Sequence, residues 1–212
     1  MSLDSTVALV TGAQQGIGAA TAEVLAERGA TVVINYLDDE AAAAAVQARI
    51  EARGGQAVTV PGDVANPTDV ANMVEVAESM GGINLLVNNA GIFPRVEFLE
   101  MTEDDWDCVF AVNLRAMFLC AQAAAKRMVS AGRAGAIINL TSSAAHSGPP
   151  LGVHYASTKA GVIGFTRSLA AALSPHNIRI NAVAPGLTDT AQPRFGMTES
   201  QITASAATLP LG

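Results

Sequence analysis

The chain has 212 residues, half of them hydrophobic, and carries a net charge of -7 without any run of basic residues. That length suits one sizeable core, and the acidic balance argues against nucleic acid or an anionic membrane surface as a partner. The N-terminus lacks a basic segment followed by a long apolar run, so no secretory signal is predicted, and no stretch reads as the ~20 apolar residues of a membrane span.

In chain order, residues 6–11 read as a strand and 16–28 as a helix, then 31–36 as a strand and 39–53 as a helix. Residues 56–61 read as a strand and 68–80 as a helix, 83–88 as a strand and 103–130 as a long helix. Residues 136–141 read as a strand, 153–173 as a helix and 178–184 as a sixth strand. Many of these strands are continuously apolar and β-branched rather than alternating, as expected when both faces are covered. Repeated βα units imply a parallel, doubly wound α/β sheet. Cys108 and Cys120 are predicted on one helix, whose rise separates them by ~18 Å. A bridge between them is excluded, and a reducing, cytoplasmic compartment fits two free thiols. There is no Cys-x-x-Cys pair, and the three histidines are scattered, so no metal site is predicted.

Thr11-Gly12-Ala13-Gln14-Gln15-Gly16-Ile17-Gly18 joins the first strand to the first helix. Glycines let a backbone turn sharply and approach a pyrophosphate closely, and the helix start offers free N–H groups to it. A tight βα turn without a ligand could use the same residues, and the spacing is not the common G-x-G-x-x-G. Other segments stand beside it in order. Gly62-Asp63-Val64 follows the third strand and Asn88-Asn89-Ala90-Gly91 the fourth. Tyr155-Ala156-Ser157-Thr158-Lys159 opens the helix of 153–173, with Ser142 thirteen residues before Tyr155. Asn113 lies in the long helix, and Pro185-Gly186 follows the sixth strand.

Together these segments resemble the motifs of the short-chain dehydrogenase/reductase family, in that family's order, from about residue 6 onward. The resemblance implies a Rossmann-like sheet of order 3-2-1-4-5-6 and an NAD(P)-dependent interconversion of an alcohol and a carbonyl. It implies cofactor contacts from Gly12, Gln15, Gly16, Ile17, Gly18, Asp63, Val64, Asn89, Ala90, Gly91, Tyr155, Lys159, Pro185, Gly186, Thr188 and Thr190. Asn89 could serve instead to tie the central strand, and Asp63 could be a turn-former. The family's acidic ribose position falls on Tyr36; Asp38, two residues later, could substitute. Its two usual basic positions hold Gln15 and Leu37, and Asp38 and Asp39 would repel a 2′-phosphate. NAD is therefore favoured, with NADP as the alternative.

The implied catalytic set is Asn113, Ser142, Tyr155 and Lys159. Tyr155 and Lys159 are four apart on a predicted helix and share a face. A nearby ammonium favours phenolate, so the Tyr155 pKa is expected to fall and the phenol to exchange a proton with the substrate oxygen. Ser142 would stabilise charge on that oxygen; Ser143 is the rival serine without the family spacing. The resemblance implies that Lys159 also holds the ribose and that Asn113 retains a relay water. The pocket rim is expected from residues 93–99, 144–154 and 190–208, with Phe93 and Phe195 apolar and Arg95, His146, His154, Gln192 and Arg194 polar.

Departures from the family pattern are expected to matter. Thr188 stands where a branched apolar residue is usual. Family chains also continue past a segment like Pro210-Leu211-Gly212 into a further helix and a seventh strand. The expectation is thus one domain over 1–212, truncated at its C-terminus and without the seventh strand. The substrate is expected to be a small-molecule alcohol or carbonyl. A 3-oxoacyl-carrier-protein reductase, with Lys126, Arg127 and Arg133 as a docking patch, and a non-catalytic dinucleotide sensor are the alternatives. Surplus apolar residues on helices 103–130 and 153–173 predict a homodimer or homotetramer through those helices.

Overall fold

The computed structural model describes residues 2–209. Pro210-Leu211-Gly212 lies outside the described residues, and no structural statement attaches to it. Six parallel strands form one sheet in the order β3-β2-β1-β4-β5-β6, as the resemblance implied. They are β1 (Val7–Val10), β2 (Thr31–Tyr36), β3 (Gln56–Pro61), β4 (Leu85–Asn88), β5 (Gly135–Leu140) and β6 (Ile178–Val183). Helices α1 (Gly16–Glu27) and α2 (Glu40–Ala52) connect the first three strands, and α3 (Pro67–Ser79) leads into β4. The β4–β5 crossover runs through α4 (Glu103–Phe110), a π turn (Ala111–Arg115) and α5 (Ala116–Ser130). After β5 come a one-turn helix α6 (Ala144–Ser147) and α7 (Val153–Leu173); α8 (Ala191–Arg194) and α9 (Glu199–Ala206) follow β6.

The chain starts its helices with recognisable chemistry. Asp39 caps α2, Asn66 caps α3 ahead of Pro67 at the first helical position, and Thr102 with Asp105 forms a capping box on α4. The sheet then buries an apolar layer on each face. Leu9, Val33, Met73, Leu86, Ile137 and Met128 meet on one side; Val10, Ile34, Val46 and Ile50 meet on the other. Full burial of each large aliphatic side chain contributes roughly 1.5–3 kcal/mol. A buried polar ladder crosses the centre: Asn88 Nδ2 donates to Asn139 Oδ1 at 2.9 Å, and Asn139 Nδ2 donates to Thr166 Oγ1 at 3.0 Å. It ties β4 to β5 and β5 to α7 with its donors satisfied, so the tight register is not purchased with orphan polar groups.

Three sequence expectations change here. The helix expected over residues 103–130 is continuous in path but not in winding, because five residues around Asn113 take π geometry. That same run contains a window of mean hydropathy 1.5, so by length and composition alone it could cross a membrane, contrary to expectation. Its apolar character serves packing: Ala116, Met117, Cys120, Ala121, Ala124, Ala125 and Met128 are buried in the domain. Finally, α6, α8 and α9 lie in the rim segments, where the sequence pattern predicts no element; α8 and α9 are short and polar, and Thr198 with Gln201 boxes the start of α9.

Candidate active site

All six strands point their C-terminal ends toward one cleft, the place where open α/β sheets bind ligands. The cleft holds a cavity of about 790 Å³, within the range of ligand pockets.

At one end lies the glycine turn. Gly12 and Gly16 adopt φ of +60° and +56°, and a Cβ on Gly12 would fall 3.0 Å from Ala90 Cα. The turn is shaped from outside: Gly12 N–H donates to Asn35 Oδ1 at 3.0 Å, while Asn35 Nδ2 donates to Gly62 O at 2.9 Å. Asn89 Nδ2 donates to Thr11 O at 2.8 Å and Gly12 O at 3.0 Å. The Asn89 amide is therefore spent on the turn, the strand-tying role weighed for it. Asp63 forms its turn, since its Oδ1 accepts from Ala65 N–H at 2.8 Å, and it also lines the cavity.

The start of α1 fits a dinucleotide phosphate. Its cap residue Gln15 makes no side-chain cap bond, so its first N–H groups lack the partners that α2, α3, α4 and α9 have. Gln14 Oε1 is buried without a partner beside it. Of the expected cofactor residues, Gly12, Gln15, Gly16, Ile17, Asp38, Asp63, Val64, Asn89, Ala90, Gly91, Tyr155, Lys159, Pro185, Gly186, Thr188 and Thr190 line the cavity. Two do not. Tyr36 is only 8% exposed and belongs to the core under α2. Gly18 faces protein, because a Cβ there would lie 2.6 Å from Gly12 O and 2.9 Å from Ala13 Cα. Its glycine serves close helix-to-turn packing rather than ligand contact.

At the other end, Ser142, Tyr155 and Lys159 meet. Tyr155 sits three residues into α7, and Ser142, just past β5, stands on the same cavity wall. Lys159, one turn on, is buried; its Nζ donates to Leu140 O at 2.8 Å and lies 5.6 Å from the Tyr155 ring centre. Thr141 Oγ1 donates to Lys159 O at 2.6 Å, locking α7 to β5 at this level. Ser143 also lines the cavity, and its N–H donates to Pro185 O at 3.0 Å.

The electrostatics differ from the sequence expectation. Burial pushes the Tyr155 phenol up, opposed by the Ser142 side chain, rather than down as a close ammonium would. Burial lowers Lys159 to about 8. Desolvation outweighs the ammonium 5.6 Å from the ring and sets the direction of both shifts.

Asn113 is fully buried and does not line the cavity. Its Oδ1 accepts from Ile92 N–H at 2.8 Å, and its Nδ2 donates to Ile92 O at 2.9 Å. The side chain clamps the backbone just after Gly91, and the π turn aims it there. His154 is buried outside the cavity and His146 is exposed; Arg194 pairs with Asp189 and Glu199, and Phe195 is 78% exposed. None of these four lines the cavity. Lys126, Arg127 and Arg133 lie at the opposite end of the sheet from the cleft, near the end of α5 and the start of β5. Arg127 and Arg133 are paired with Glu75 and Glu78. They do not form a docking patch at the cleft mouth. Asn35 and Thr11 were missed by sequence reasoning. The signal was a buried asparagine inside an otherwise apolar strand.

The sequence profile described as short chain dehydrogenase matches residues 6–197. Among curated proteins, a 3-oxoacyl-[acyl-carrier-protein] reductase of Synechocystis sp. is 45% identical over 186 residues, covering 87% of this chain and 75% of the relative. An L-rhamnose 1-dehydrogenase (NAD(P)(+)) of Sphingomonas sp. is 43% identical over 185 residues, covering 87% and 73%. Among solved structures, a short chain dehydrogenase of Burkholderia cenocepacia in complex with NADP is 42% identical with a TM-score of 0.85, covering 91% of this chain and 78% of that one. A short-chain type dehydrogenase/reductase of Mycobacterium marinum is 36% identical with a TM-score of 0.87, covering 91% and 76%. With the glycine turn and the Ser142–Tyr155–Lys159 cluster at the strand ends of a 3-2-1-4-5-6 sheet, the chain belongs to the short-chain dehydrogenase/reductase family, whose members are NAD(P)-dependent oxidoreductases.

Proposed function

We propose that this chain interconverts a small-molecule alcohol and its carbonyl with Tyr155 as the acid/base and NAD as the preferred cofactor. The observation that carries the reading is that Ser142, a half-buried Tyr155 and the buried Lys159 share one cavity wall, with Lys159 Nζ one helical turn on and 5.6 Å from the Tyr155 ring. When bound, the nicotinamide supplies or takes up the hydride at the substrate carbon. In the reducing direction Ser142 donates a hydrogen bond to the carbonyl oxygen and Tyr155 Oη transfers its proton to that oxygen. The carbonyl gains a hydride and a proton and becomes the alcohol; the phenolate left behind faces the Lys159 ammonium and regains a proton from solvent. Asn113 acts at one remove, by fixing Ile92 and so the cavity wall after Gly91.

Leu37 and Asp38 are exposed at the cavity edge beyond β2, where the adenine ribose would sit, with no cation among the lining residues there. NADH should bind at least about tenfold more tightly than NADPH, since a 2′-phosphate beside Asp38 is repelled. Fluorescence titration of both, followed by turnover against a panel of neutral ketones and alcohols, tests cofactor and activity together. Tighter NADPH binding would mean that a basic group reaches the phosphate from elsewhere. The similarity to 3-oxoacyl-carrier-protein reductases supports a second reading in which the carbonyl belongs to a thioester. Two unbridged thiols, with burial pushing Cys120 up to about 12, suit a cytoplasmic setting.

The assembly proposed is a homodimer. An apolar groove of about 510 Å³ runs between the α4–α5 bend and α7, lined by Phe110, Leu114, Phe118, Gly161 and Phe165. Phe118 is 46% exposed there, and Asp107 and Arg115 at the rim offer complementary charges to a twofold copy. Sedimentation at micromolar concentration should give a dimer, and Phe118→Glu should shift it toward monomer; a monomeric wild type would refute this arrangement.

A further inference from the structure

Arg95 stands three residues past Ile92 in the segment after β4 and lines the cavity. Its guanidinium lies over the Phe93 ring at 4.8 Å from the centroid. Phe93 stacks on Tyr155 in turn, with centroids 4.1 Å apart and planes at 16°. The cation is thus one stacked ring removed from the phenol. A guanidinium carries five donors, yet Arg95 makes no hydrogen bond or salt bridge among the described residues, and its Nη1 is buried without a partner. Arg28, Arg167 and Arg179 also lack side-chain partners, but they are exposed and served by water. Gly196, between α8 and α9, makes room for the cation, because a Cβ there would fall 2.7 Å from Arg95 Cδ.

Among the described residues, the only other basic one on the cavity wall is Lys159, already engaged with Leu140 O. The acidic lining residues, Asp38 and Asp63, belong to the nucleotide end, after β2 and β3. Phe93 packs under Arg95, and Pro149, Pro150, Leu151 and Met197 line the cavity with it, joined by the uncharged Ser147, Gln192 and Ser205. A guanidinium with a buried, unpartnered Nη1 and no counter-charge on the wall, one ring from the acid/base, is matched by a planar anion on a short carbon stem. A carboxylate fits the guanidinium fork with two parallel hydrogen bonds. An uncharged sugar would leave the charge uncompensated, and a thioester puts no anion near its carbonyl.

We propose that Arg95 determines substrate specificity by binding the carboxylate of a short oxo acid or hydroxy acid, a few bonds from the carbon that exchanges hydride. This rests on the alcohol/carbonyl reading of the same cavity.

The test measures binding apart from turnover. Pyruvate, acetoacetate and 4-oxopentanoate, each with its methyl ester, are titrated by calorimetry into NADH-saturated Tyr155→Phe protein, whose slowed turnover keeps their consumption small, with NADH absorbance followed alongside. At least one acid should bind about tenfold or more tightly than its own ester, as a charge-assisted bidentate pair requires. Adding Arg95→Met should erase that preference, and Arg95→Lys should retain part of it. Esters binding as tightly as acids throughout, no binding by any acid, or a preference that survives Arg95→Met would each overturn the assignment. Reduction of neutral ketones by the wild-type protein is followed separately. Its absence would count against the oxidoreductase reading, whereas the acid-to-ester preference decides the role of Arg95.

Discussion

Tyr155→Phe should lower kcat by about a hundredfold to ten-thousandfold, the range that one positioned proton donor contributes. NADH affinity should change by less than about twofold, a shift below ~0.5 kcal/mol. The substitution removes a single oxygen. The ring keeps its stack on Phe93 at 4.1 Å and its place in the cavity wall. Burial raises the phenol, so without cofactor the residue is protonated at neutral pH and is set as an acid, the form needed to reduce a carbonyl. Steady-state kinetics and a fluorescence titration of NADH check both halves. A variant with near wild-type kcat would remove Tyr155 from the chemistry.

Lys159→Met should damage turnover and cofactor affinity together, each by about tenfold or more, since one desolvated ammonium is asked to serve both phenolate and ribose. Loss of turnover alone would rule out the ribose role. The same residue predicts a pH dependence. Its pKa falls from 10.5 to about 8 on burial, so the ammonium is present below about 8 and turnover should decline above it. For stability the sign is opposite to that of a salt-bridged lysine. Between about 8 and 10.5 the unfolded chain holds a proton that the folded chain has lost, so this group makes stability rise with pH across that window. Below about 8 both states are protonated and its contribution is constant and unfavourable. Urea unfolding of wild type and Lys159→Met across the window should show the rise shrinking in the variant; an equal rise in both would mean that Lys159 is not desolvated.

Much of the fold was legible because apolar runs and βα alternation record it directly. β2, β3 and α7 fall where periodicity put them, and Pro67 marks a helix start that propensity alone places one residue late. The catalytic cluster was legible for a different reason. Tyr155 and Lys159 are joined by helical geometry, which a spacing encodes. What the sequence could not encode is which side chains the backbone consumes. The Asn113 amide is used on Ile92, which no spacing reveals, whereas Asn89 has the strand-tying role that its sequence context also offers. Tyr36 falls inside the core because β2 is covered on both faces up to its last residue. The direction of the Tyr155 shift was misread because sequence spacing reveals a neighbouring charge but not how much water remains around it. Arg95 looked like one polar rim residue among several until its missing partners could be seen.

The π turn at Ala111–Arg115 amounts to a phase shift written into a helix. Each residue advances an α-helix by about 100°, so one extra residue in a wide turn rotates everything downstream by that amount. Upstream of it, α4 presents Trp106 stacked on Phe110 at 4.6 Å; within it, Asn113 turns inward to Ile92; downstream, α5 lays its alanine-rich face on the sheet. A strictly regular helix over the same residues could not satisfy all of these alignments at once. Deleting one residue between 111 and 115 would therefore regularise the hydrogen bonding while forcing a choice: keep Asn113 aimed at the cavity wall and expose the face that α5 now buries, or keep that face and swing Asn113 away. The irregularity lets one continuous rod serve two partners whose spacing no single helical period can match.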